Sequence, residues 1–154
     1  NEVDATFVAL YGTEQSGEEV VLGLDLGSSF GWCITTNGLV TMSGWYDTTR
    51  RGEGGGMHLL RFKKSLCEII DEFSPTAVFY ETVPFQKGRG REIILRQTGI
   101  LELELTSREL PYGAVHVSTL KKFATGNGRA SKEQMRNALF ARDDFWMPPN
   151  GVPS

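Results

Sequence analysis

Two cysteines in 154 residues are too few for a disulfide-held scaffold, and neither Cys33 nor Cys67 has a partner at metal-ligand spacing. Both sit among apolar residues, so they read as reduced, buried thiols of a cytoplasmic protein. No stretch approaches the ~18 uninterrupted apolar residues of a membrane helix, which predicts no membrane partner. The start of the chain, NEVDATFVALYGTEQSGEE, holds no Lys or Arg, where a secretory signal would be basic. Internal repeats and low-complexity tracts are absent as well. What is left is an acidic leader over residues 1–19 and one ordinary domain over 20–154, large enough for a continuous core and too small for two lobes.

Positive charge is in deficit overall, with a net charge of -3, but it is unevenly placed. Residues 1–20 carry five acidic and no basic groups, so the remainder holds sixteen basic against fourteen acidic residues. From Lys87 to Arg142 the balance is eleven basic to five acidic. That distribution fits either a solvated mixed-charge surface or a phosphate-rich substrate handled by a basic half.

Within the domain, VVLGLD is a short continuous apolar run, the pattern of a central strand covered on both faces. In GWCITTNGLVTMSGW, Asn37-Gly38 between two β-rich runs predicts a two-residue hairpin turn, so the first three strands form an antiparallel meander. Leu59, Phe62, Leu66, Ile69, Ile70 and Phe73 then recur at helical spacing until Ser74-Pro75 stops them. TAVFYE is a second buried strand. The loop PFQKGRGR leads to a helix from about Glu92 to Glu109, Pro111-Tyr112-Gly113 turns the chain, and AVHV makes a short strand. The region opening STLKKFATGNGRA runs into a helix whose Ser131 and Gln134 have capping-box spacing. The predicted class is α/β, with three antiparallel strands followed by strands reached through helical crossovers and therefore parallel.

Both buried strands end in a carboxylate, Asp25 and Glu81. An ionised carboxylate at a strand end costs several kcal/mol of hydration unless hydrogen bonds or a cation meet it. Structural readings exist for each: Asp25 accepts backbone N–H bonds from the following LGSSFG turn, and Glu81 pairs with an Arg. The functional reading sets the two strands side by side, where two repelling carboxylates suit a cation between them, Mg²⁺ above all.

The order of these elements resembles the RNase H-like nuclease superfamily and, more narrowly, the RuvC-like Holliday junction resolvases. LGLDLGSSFGWCI is similar to the family's first strand and hairpin entry, VFYETVPF to its second acidic strand, and LKKFATGNGRASKEQM to its DNA-contacting stretch. The resemblance implies an RNase H-like five-stranded mixed sheet and a Mg²⁺-dependent (or Mn²⁺-dependent) endonuclease that cuts four-way DNA junctions as a homodimer. It implies two ions per site, with Asp25 and Glu81 as metal ligands and Lys121 and Lys132 as catalytic lysines. It places Phe85, Lys87, Arg89, Arg91, Lys121, Lys122, Arg129 and Lys132 against DNA, with Phe85 stacking on opened bases or else anchoring the core. The family's remaining acidic pair comes from a C-terminal D-x-x-D-like helix, and the chain stops at PPNGVPS, about where that helix begins. Asp143 and Asp144 come too early to match it and read as surface residues. Two other readings compete. DLGSS also fits the phosphate-wrapping hairpin of an actin-like ATPase or sugar kinase, though that fold needs two lobes; and a chain without the second acidic pair suits a non-catalytic junction-binding protein.

Overall fold

A computed structural model describes residues 17–83 and 87–141. Strands β1 (Val20–Asp25), β2 (Ser29–Thr36) and β3 (Leu39–Asp47) form the expected antiparallel meander. Its β2–β3 turn has Asn37 at φ 49 and Gly38 at φ 81, the paired left-handed conformations that match the twist of a hairpin. Helix α1 (Met57–Phe73) follows and buries Phe62, Leu66, Ile69 and Ile70. It ends where Ser74 turns left-handed at φ 45, ahead of Pro75. Strand β4 (Ala77–Glu81), helix α2 (Arg89–Ser107), strand β5 (Tyr112–Val115), helix α3 (Val117–Thr125) and helix α4 (Lys132–Phe140) complete the order.

The strands make one sheet in the order β3-β2-β1-β4-β5, with β1, β4 and β5 parallel. This is the mixed five-stranded sheet expected from the sequence. Leu22 and Leu24 of β1 point to the face shared by Ile34, Val78 and Tyr80, and Phe62, Leu66, Leu101 and Leu105 from α1 and α2 complete that core. Each fully buried Leu or Phe there contributes about 1.5–3 kcal/mol. Val21, Gly23 and Asp25 alternate onto the opposite face, where burial is only partial until the strand ends in solvent. Tyr80 donates its hydroxyl to Glu102 of α2 at 2.5 Å, which ties β4 to the helix.

Several boundaries differ from the sequence reading. Helix α2 starts at Arg89, so Arg89 and Arg91 lie in its first turn and not in a loop; a first turn tolerates Gly90 because its N–H groups lack helical partners in any case. The helix ends earlier, with Arg108 as its cap and Glu109 left-handed at φ 54. Strand β5 begins at Tyr112, because Pro111 already accepts a hydrogen bond from Val78 N–H and starts the parallel ladder. His116 and Val117 leave the strand: His116 caps α3 by accepting from Ser118 N–H, and a helix occupies most of STLKKFAT. The Ser131 capping box is present in full. Cys33 and Cys67 are free as expected, but half-buried and not fully enclosed. Among the described residues, no helix is long and apolar enough to cross a membrane. Phe85, Asp143, Asp144 and the leader up to residue 16 lie outside the described residues.

Candidate active site

Parallel pairing decides where the carboxylates meet. The β1–β4 register sets Leu24 opposite Tyr80, so the next residues, Asp25 and Glu81, end neighbouring strands about 4.8 Å apart on the same edge and face. This is the carboxyl end of the parallel strands, the edge where α/β sheets open their ligand crevices. Gly31 lies across from Asp25 on β2 and leaves that flank without a side chain. A hydrogen bond from Thr82 N–H to Val115 C=O, 2.9 Å, extends the β4–β5 ladder past Glu81 and fixes its strand end.

The structural explanation for Asp25, acceptance of N–H bonds from the turn, is not found among the described residues; the turn is held by other partners. Gly27 N–H donates to Gln97 Oε1 at 2.9 Å, and Gln97 Nε2 donates back to Gly27 C=O at 2.8 Å. Ser28 C=O accepts from Thr48 N–H at 2.8 Å and from Thr48 Oγ1 at 2.9 Å. Gln97 and Thr48 are both fully buried. They hold the turn from outside, and no hydrogen bond to the Asp25 carboxylate is found among the described residues. Among the described residues neither Asp25 nor Glu81 takes part in an ion pair, so the Arg partner considered for Glu81 is not found there.

Electrostatics tie the predicted residues together. Asp25 reaches solvent, yet the protein packed about its carboxyl removes enough water to raise its pKa, and Lys132 acts in the opposite direction. Burial is also the main cause that raises Glu81, followed by the charge of Asp25; Lys121 and His116 oppose it. The fold therefore gathers Asp25, Glu81, Lys121 and Lys132 from β1, β4, α3 and α4. Lys121 is half-buried, while Lys122, Arg129 and Lys132 are exposed on α3, the following loop and the start of α4. That loop is shaped by Gly126, left-handed at φ 78 as the α3 cap, and by Gly128, where an added Cβ would lie 3.2 Å from Ser118 C=O. Lys87, Arg89 and Arg91 are exposed at the entrance to α2, a separate group for which no charge interaction with Asp25 or Glu81 is found.

Sequence reasoning missed three contributors. Gln97 and Thr48 looked like ordinary polar residues, and only the tertiary fold shows what they hold. His116 was placed in a strand; its spacing to Ser118 was the available signal of a helix start.

The donor set suits a hard divalent cation: two carboxylates that repel each other, partly stripped of water and without an ion pair among the described residues. Among the described residues, no group of three or more His, Cys, Asp or Glu side chains could hold a metal ion, so the ligands on hand are two. Mg²⁺ commonly takes one or two carboxylates plus substrate oxygens, and Asp25 with Glu81 meets that need.

Comparison with known proteins places this arrangement. The family model for "Crossover junction endodeoxyribonuclease RuvC" matches residues 21–141. A protein of that name from Corynebacterium glutamicum is 37% identical over 79 residues, covering 50% of this chain and 35% of the relative. One from Bifidobacterium animalis subsp. lactis is 38% identical over 89 residues, covering 56% of this chain and 46% of the relative. The matches thus span less than half the length of these curated relatives. Among solved structures, Thermus thermophilus RuvC in complex with its Holliday junction substrate superposes with a TM-score of 0.69 at 17% identity, over 85% of each chain. The fold agrees with that structure, and the family match covers both strand-end carboxylates and both lysines: the chain belongs to the RuvC family of crossover junction endodeoxyribonucleases.

Proposed function

We propose that this chain is the catalytic domain of a structure-selective endonuclease that resolves four-way DNA junctions by metal-dependent phosphodiester hydrolysis. The observation that carries the reading is the Asp25–Glu81 pair at the carboxyl edge of β1 and β4, faced by Lys121 and Lys132. Family membership and the junction-bound relative support the substrate class. Asp25 and Glu81 would hold Mg²⁺ (or Mn²⁺), two ions per site, together with further carboxylates from outside the described residues. Held there, such ions would supply Lewis-acid activation of the attacking water and of the leaving 3′ oxygen. Lys121 and Lys132 hold the scissile and adjacent phosphates and offset negative charge that builds during attack. Lys122, Arg129, Lys87, Arg89 and Arg91 position the DNA backbone, and Phe85 stacks on bases at the junction. Symmetric cutting of a junction needs two such sites, which favours a homodimer, and the free thiols suit the cytoplasm.

The test uses the full-length protein with Mg²⁺ and a synthetic four-way junction beside a linear duplex of the same sequence. Nicking of the junction in preference to the duplex is expected. Asp25→Asn should bind the junction and leave it intact, whereas near-normal cutting by that variant would remove Asp25 from the site.

A further inference from the structure

Close to the anchored turn lies a cavity of about 220 Å³, walled by Arg50 and Glu53 after β3, His58 of α1, and Arg89, Glu92 and Arg96 of α2. Its walls adjoin the two anchors of the turn after Asp25: Thr48 directly precedes the stretch that carries Arg50, and Gln97 directly follows Arg96. The cavity and the strand-end carboxylates therefore share one rigid support.

Its charge is not balanced internally. Glu53 is taken by Arg61, whose other nitrogen donates to Thr48 C=O at 2.5 Å. No ion pair among the described residues involves Arg50, Arg89 or Arg96; Arg50 feels the charge of Glu53, but with Arg61 already on Glu53, four guanidiniums stand against the two carboxylates of Glu53 and Glu92. Guanidinium is the group best matched to phosphate oxygens, through two parallel hydrogen bonds. His58 adds a ring to the wall, and its Nε2 is buried behind that wall without a hydrogen-bond partner among the described residues. The volume falls below the ~300–1,000 Å³ typical of small-molecule pockets, which suits a single phosphate group better than a whole nucleotide.

We infer that this cavity is a second phosphate subsite, which takes a backbone phosphodiester of the same DNA strand whose scissile phosphate lies at Asp25 and Glu81. The assignment rests on the nuclease reading above and adds Arg50 and Arg96 to it. Holding a neighbouring phosphate on the support that aims Asp25 fixes the register of the strand in the site.

The test is equilibrium binding of a four-way junction by full-length protein carrying Asp25→Asn, across a salt series, with Arg50→Ala, Arg96→Gln and the pair together. The pair should weaken binding roughly tenfold and lower the slope of log affinity against log salt by about 1, the signature of one lost phosphate contact. Arg96→Lys, which keeps the charge, should retain the slope. A scan of single neutral methylphosphonates along the strand should find one position that costs the Asp25→Asn protein affinity and costs the arginine-depleted protein nothing further. Unchanged affinity and slope in the paired variant, or methylphosphonate losses that add at every position, would overturn the subsite while leaving the nuclease reading in place. Titration with inorganic phosphate separates the other source: sub-millimolar binding that needs Arg50 and Arg96, without methylphosphonate coupling, would make this a small-anion site and overturn the DNA assignment. Failure of the Asp25→Asn protein with all arginines intact to bind junctions would instead overturn the nuclease reading, and the subsite with it.

Discussion

Replacing Gln97 by Met tests whether the turn after Asp25 is held from α2. Methionine has nearly the volume of glutamine and fills the buried site, so the substitution removes the two hydrogen bonds to Gly27, 2.9 and 2.8 Å, without opening a cavity. Gly27 N–H and C=O are then left without their partner. Each unmet buried backbone group costs about 1–3 kcal/mol; Gly27 is half-buried, which sets its two groups toward the lower end, so the variant should lose about 2–4 kcal/mol of stability. At about 2–4 °C per kcal/mol for a domain of this size, melting should fall by roughly 5–15 °C. Urea denaturation should show a lower midpoint at unchanged m-value, and hydrogen exchange should show lost protection at Gly27 while α1 stays protected. Gln97→Glu provides the companion with a pH sign. Its carboxylate accepts from Gly27 N–H but repels Gly27 C=O unless protonated, so its folded-state pKa rises. The stability of that variant relative to the parent is present at low pH and is lost as pH rises through the folded pKa. A Gln97→Met protein within about 0.5 kcal/mol of the parent, with Gly27 exchange unaltered, would refute the anchoring role.

Three further outcomes follow from the same structure. In metal-free buffer Asp25 and Glu81 have raised pKa values, so their contribution favours the folded state below the ordinary carboxylate range and is lost as pH rises through their folded pKa; Asp25→Asn and Glu81→Gln should therefore melt higher than the parent at pH 7 and close to it at pH 4, as scanning calorimetry would show. Gly38→Ala puts a Cβ on a residue at φ 81 and should cost roughly 1 kcal/mol by denaturant titration, whereas Asn37→Gly should be nearly neutral. Gly44→Ala would set a Cβ 2.8 Å from the Trp32 ring, and the forced shift should cost about 1–3 kcal/mol with a change in Trp fluorescence.

The sheet was legible because its signals are local. Asn37-Gly38 specifies a hairpin, and the apolar runs of β1 and β4 need helices on the way to parallel pairing, so the sequence allowed Asp25 and Glu81 to lie side by side and the strand order places them so. Lys121 and Lys132 were reached through the family resemblance, and their approach to the carboxylates depends on helix α3, which the pattern around His116 concealed. Residues whose work is tertiary were not legible. Gln97 sits in a helix and bonds a turn 70 positions earlier, and nothing near it in sequence records that partner. The arginine cavity likewise joins the loop after β3 to the start of α2, segments about 40 positions apart whose meeting no local pattern records.

The most direct measurement of the central claim, that Asp25 and Glu81 act as one cation site for strand cleavage, is single-turnover nicking of a four-way junction by the full-length protein in Mg²⁺. Asp25→Asn and Glu81→Gln should each reduce the rate by orders of magnitude with junction affinity retained, and the double variant should be no slower than the worse single, because either loss disables the whole site. Independent, additive losses, or a rate near that of the parent in either single variant, would contradict it.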